Sequence, residues 1–85
     1  MNPIPPSVLD DLTCLVKNIR GKDTIISTYR IQEAMQTGQY PCILFWLAGY
    51  KKPNARLSCA LVETKLVKPF GRNPAGVVRS WQVIS

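Results

Sequence analysis

Apolar positions early in the chain recur at spacings of three and four. Val8, Leu9, Leu12, Leu15, Val16 and Ile19 fall on one helical stripe, and this period predicts a helix over 8–20. Ser7 stands where an N-cap is expected, with Asp10 three residues on, and Asp10 and Asp11 suit the positive end of a helix. Arg20 and Gly21 mark the other end. The preceding residues 1–6, MNPIPP, are proline-rich and are expected to form a flexible lead-in. Two β-branched isoleucines within 24–27 suggest a brief strand. Ser27 or Thr28 then caps a second helix over 28–37, with Ile31, Ala34 and Met35 on one side and Gly38 after it.

Residues 42–48 are apolar on every side. Pro41 suits the first turn of a helix, yet a continuous apolar run fits a buried strand equally well, so both readings stay open. A further helix is predicted over 55–64, with Asn54 as its cap and Leu57, Ala60, Leu61 and Thr64 on one face. Two extended runs follow, 65–70 and 77–84, joined by a loop of turn formers at 71–76 whose Gly71 and Gly76 can take positive φ. Pro69 confines the first run to a strand end or a sheet edge, and the second has the composition and alternation of a strand. Together they predict a β-hairpin. The expected core joins Leu12, Leu15, Ile31, Leu44, Leu57, Leu61 and Trp81, with Phe45 and Trp46 also inside. Trp81 and Arg79, two apart on a strand, are expected on one face.

This order of helix, short extended piece, helix, apolar segment, helix and hairpin is that of a winged helix-turn-helix domain. The expected fold class is therefore α+β, with three to four helices followed by a C-terminal β-hairpin. An 85-residue chain makes one domain with a small core,, here a helical part over 7–64 and a wing over 65–85. A hydrophobic fraction of 46% excludes global disorder,. The longest apolar run is far short of the roughly 20 residues that span a bilayer, and the N-terminus lacks the basic and apolar segments of a secretory signal. A soluble, cytoplasmic protein with no membrane association is expected.

Charge changes the picture most. From Lys51 onward there are seven cations, Lys51, Lys52, Arg56, Lys65, Lys68, Arg72 and Arg79, against the single anion Glu63. Residues 1–50 balance Lys17, Arg20, Lys22 and Arg30 against Asp10, Asp11, Asp23 and Glu33, so the whole net charge of +6 lies in the C-terminal part. A neutral scaffold presenting a basic surface attracts polyanions, and nucleic acid is the commonest. Chemistry is scarce by comparison. The chain has no histidine, no Gly-rich phosphate loop and no dinucleotide fingerprint,, so no enzyme activity, metal or cofactor is expected. Cys14, Cys42 and Cys59 are odd in number and widely spaced, and are expected to be free, buried, slowly reacting thiols in a reducing compartment.

The stretch 28–84 resembles winged-helix modules of phage and plasmid replication and primase-associated proteins. The matching pieces are Ile31-Gln-Glu-Ala-Met35, Ala55-Arg-Leu-Ser-Cys-Ala-Leu61, Lys68-Pro-Phe-Gly-Arg72 and Val78-Arg-Ser-Trp-Gln-Val83. The apolar run at 42–48 and Pro69 depart from that pattern. The resemblance implies a recognition helix at about 55–64 in the major groove and a wing at about 65–84 beside the backbone. Phosphate contacts are expected from Lys51, Lys52, Lys65, Lys68 and Arg79, and groove contacts from Arg56, Ser58 and Arg72. The expected partner is double-stranded DNA, for a phage- or plasmid-type accessory or regulator. One alternative is a non-enzymatic adaptor or inhibitor, for example a phage anti-defence protein, docking on an acidic partner. Another is an RNA or single-strand binder using Trp81 and Tyr50. Self-association as a homodimer is expected if part of 42–48 is exposed.

Overall fold

The computed structural model describes residues 4–84. It is an α+β domain in which α1 (Pro6–Arg20), β1 (Ile25–Ser27), α2 (Thr28–Met35), α3 (Pro41–Leu47) and α4 (Pro53–Glu63) precede the hairpin β2 (Val67–Arg72) and β3 (Val78–Val83). The arrangement matches the winged helix-turn-helix-like class expected. The apolar run at 42–48 is helical, which settles the choice left open by its composition. The proline-rich lead-in is shorter than predicted, because Pro6 already opens α1, while residues 1–3 lie outside the described residues.

Prolines set three of the four helix starts. Each of α1, α3 and α4 has one in its first turn, where a missing N–H costs nothing and φ is already helical. This displaces two predicted caps. Pro5 and Lys52 take the N-cap positions of α1 and α4, neither with a side-chain cap. Ser7 and Asn54 fall one step or more inside the helices instead. Asn54 Oδ1 accepts from Gln32 Nε2 at 3.0 Å, tying α4 to α2. Ser27 does cap α2, its hydroxyl accepting from the Arg30 amide at 3.2 Å. The amide of Cys42, in the first turn of α3, donates to Asp11 Oδ2 of α1 at 3.2 Å. The chain leaves α4 through Lys65, whose φ of 60° is the left-handed conformation usually given to glycine, at a cost of about 1–2 kcal/mol.

Helix α1 packs against α2, α3 and α4, and the sheet closes over α2 and α4. The sheet has three antiparallel strands in the order β1-β3-β2. The strand foreseen within 24–27 thus completes a sheet by pairing with β3, Ile26 lying opposite Trp81. Pro69 sits on β2, an edge strand, as the missing N–H requires,. Val8, Leu12, Leu15, Ile26, Ile31, Ile43, Leu57, Leu61, Val67 and Trp81 are all buried. Leu44 and Phe45 are not, contrary to expectation: they are 40% and 82% exposed. A seven-residue helix apolar on every side can bury only the stripe that meets the core, and Ile43 and Leu47 take it. Trp46 is half-buried against the core.

Trp81 is the largest fully buried side chain and lies at the centre of the middle strand. Its indole Nε1 donates to Thr28 Oγ1 at 3.0 Å, and that hydroxyl donates to the Val78 carbonyl at 2.8 Å. One hydroxyl therefore satisfies a buried donor and links the start of α2 to β3. Thr28→Val keeps the shape but removes both bonds. It is expected to destabilise the fold by about 1–3 kcal/mol, since a buried N–H loses its partner, and urea unfolding followed by circular dichroism measures this. An unchanged midpoint would mean that the Thr28 hydroxyl does not hold the indole.

Candidate nucleic-acid interface

The two strands of the hairpin do not pair in regular register. Val67 pairs with Val83 and Pro69 with Trp81 on the inner face, but Gly71 then pairs with Ser80 and Arg72 with Val78. Phe70 and Arg79 fall between the paired positions, one extra residue on each strand, and such bulges break the two-residue period. In a regular strand Lys68, Phe70 and Arg72 would share the outer face. The extra residue at Phe70 instead brings Arg72 beside the buried Val78. On β3 the matching irregularity separates Arg79 from Trp81: Arg79 is exposed while Trp81 is buried, so they do not share a face as expected.

The loop beyond is tightly held. Asn73 N donates to Val77 O, Gly76 N to Asn73 O, and Val77 N to Asn73 Oδ1, all at 2.9–3.0 Å. Arg72 Nη1 donates to the Gly76 carbonyl at 3.0 Å, which braces the arginine against the turn. Gly76 takes φ of 85° as expected. Gly71 does not take positive φ; a Cβ there would stand 2.6 Å from Ser80 Oγ, which a rotation of the serine side chain relieves.

These elements enclose a groove of about 860 Å³ between α4, the end of α3 and the hairpin. Five of the eight residues singled out from the sequence line it: Lys51, Lys52, Arg56, Ser58 and Arg72. Lys51, Lys52 and Arg72 are exposed, and Ser58 is half-buried. Lys65, Lys68 and Arg79 do not line it. Lys65 sits at the turn after α4, Lys68 points from the outer face of β2, and Arg79 is the bulged residue of β3.

Arg56 is half-buried, and its guanidinium lies 4.3 Å from the centroid of the Tyr50 ring. Tyr50 in turn meets Trp46 edge-on, with centroids 5.6 Å apart. A cation–π contact of this kind restrains a guanidinium while leaving N–H groups able to donate. Tyr50 and Trp46 were not identified from sequence as supports for Arg56. The aromatic-to-arginine spacing is a signal only once α4 is known to fold back beside α3. Trp81 has no exposed face on which a base could stack.

The groove floor is apolar. Ala55, Cys59 and Val62 come from α4, with Pro69 opposite and Val78 and Trp81 beneath. Glu63, at the end of α4, is the one anion lining it among the described residues. Among the described residues there is no cluster of three His, Cys, Asp or Glu suited to a metal ion, and no helix long and apolar enough to cross a membrane. Comparisons with known protein families, curated proteins and solved structures found no match.

All three cysteines are free, but they are not buried as expected: Cys14 and Cys59 are exposed and Cys42 is partly so. Cys14 and Cys59 lie on helix faces turned from the core, which helical period assigns to solvent. Accessible thiols react faster. Cys14 and Cys59 are therefore expected to be alkylated before Cys42 in the native protein, as a mass-spectrometric time course with iodoacetamide would show. Labelling of Cys42 first would contradict the placement of α3 against α1.

Proposed function

We propose that this protein binds double-stranded DNA through the groove between α4 and the hairpin, as a non-enzymatic accessory or regulator of phage or plasmid type in the reducing cytoplasm. The observation that carries the reading is convergence. Lys51, Lys52 and Arg56, near the start of the helix preceding the hairpin, and Arg72, from the hairpin, line one groove although they are distant in sequence. Such a set fits the phosphates of one backbone segment. The likeness to winged-helix replication modules supports the same placement. The three free thiols suit a reducing compartment,.

Each cation has a role in this reading. Lys51 and Lys52 act as point charges on phosphates. Arg56, held on Tyr50, offers a flat fork to a phosphate or a guanine edge. Arg72, braced on Gly76, meets the backbone beside the wing. Lys65, Lys68 and Arg79 lie off the groove and add only to the general positive field.

Fluorescence anisotropy on a mixed-sequence duplex at several salt concentrations tests this. Four phosphate contacts give a log–log salt slope of about −3.6. Lys51→Ala, Lys52→Ala and Arg72→Ala are each expected to weaken binding on any sequence and to flatten the slope by about one unit. Glu63→Gln removes the anion from the groove and is expected to tighten binding by about two- to fivefold. Lys68→Ala, on the outer face, is expected to change the slope by less than about half as much as Arg72→Ala. An absence of duplex binding by the wild-type protein at low salt would overturn the reading, and the basic rim would then be attributed to docking on an acidic protein.

A further inference from the structure

The outward face of α4 is unusual for a helix beside a cationic groove. Ala55, Cys59 and Val62 are spaced four and three apart, so they form one strip along the helix,. All three are exposed, Val62 by 47%, and all three line the groove. The opposite face of the helix is already used, because Leu57, Ala60 and Leu61 are buried in the core. The strip itself is apolar, with the Ser58 hydroxyl and the Glu63 carboxylate beside it along the same groove. Of the α4 side chains near it, Arg56 lies against Tyr50 and Asn54 accepts from Gln32.

An apolar strip cannot read the donors and acceptors of base edges. The one apolar group on the floor of the major groove is the C5-methyl of thymine. The rim of Lys51, Lys52, Arg56 and Arg72 is complementary in charge to the phosphates flanking such a floor. We infer that α4 selects A·T-rich duplex by packing Ala55, Cys59 and Val62 against thymine methyls, while the rim cations hold the backbone. This inference rests on the DNA-binding reading above. Methyl contacts supply the preference and the cations supply most of the affinity, so the two are separable by experiment.

The probe is a 20-base-pair alternating A·T duplex, compared with the same duplex carrying deoxyuridine in place of every thymidine. The exchange removes the C5-methyl and leaves every hydrogen-bonding group in place. A G·C duplex with and without 5-methylation of cytosine places a methyl at the same groove position. Wild-type protein is expected to bind the thymidine duplex about three- to tenfold tighter than the deoxyuridine duplex, the gain from burying a few methyl groups. It is expected to bind the methylated G·C duplex tighter than the unmethylated one. Val62→Ser and Cys59→Ser, both at exposed positions, are expected to shrink the preference while leaving the salt slope unchanged. Equal affinity for the thymidine and deoxyuridine duplexes, with normal salt dependence, would overturn the methyl readout and leave DNA binding standing. Failure to bind any duplex at low salt would overturn both.

Discussion

One half-buried hydroxyl fixes how the sheet and the helices meet. Trp81 fills the centre of the core, and its indole N–H must find an acceptor there, because an unpaired buried donor is costly. Thr28 supplies the acceptor and passes its own proton to the Val78 carbonyl. Thr28 is also the first residue of α2, directly after β1. The bond therefore sets the angle at which the chain leaves the sheet and enters the helices. Trp81 lies opposite Ile26 on one side and Pro69 on the other, so the same side chain registers both neighbouring strands. The position of the hairpin relative to α4 follows from this anchor, and the groove exists only because that position is held.

Much of the helical frame was legible in the sequence because its signals are local. The stripe from Val8 to Ile19 predicts α1, and the spacing of Leu57, Ala60 and Leu61 predicts the buried face of α4. The edge position of β2 follows from Pro69 alone. What was illegible depended on partners distant in the chain. The pairing of β1 with β3 joins residues more than fifty positions apart, and no local pattern announces it. Leu44 and Phe45 look like core because composition does not say which stripe of an all-apolar helix meets α1. The cysteines show a related effect: the residue type is usually buried, yet the helical phase of Cys14 and Cys59 points outward,.

The candidate site shows the same division more sharply. Counting charges locates seven cations after residue 50, but a count has no faces. The strand period would place Arg72 with Lys68, on the side away from α4. The extra residue at Phe70 brings the exposed Arg72 opposite Val78 and onto the groove, and leaves Lys68 off it. Gly71 lies at the same irregularity, where a Cβ would stand close to the Ser80 hydroxyl. Arg56 poses the complementary problem. Its position near the start of α4 was readable, whereas its seat on Tyr50 required the turn between α3 and α4.

A basic surface can arise in two physically different ways, and the distinction bears on what this one recognises. Scattered lysines on solvated loops give a diffuse field that draws any polyanion and is screened within about 10 Å at ordinary salt. Here two of the cations are mechanically constrained, Arg56 by an aromatic ring and Arg72 by the carbonyl of its own turn. Constraint removes part of the entropy lost when a flexible side chain is fixed on a ligand. It also sets a spacing between charges that a ligand must match. An apolar floor between constrained cations disfavours a ligand that is charged throughout its contact area, because such a ligand would lose hydration with no partner in return. Under the DNA-binding proposal, the matching ligand is a polyanion whose charges lie along its edges and whose interior carries exposed apolar groups, the form of a duplex major groove with phosphates at its walls and thymine methyls on its floor.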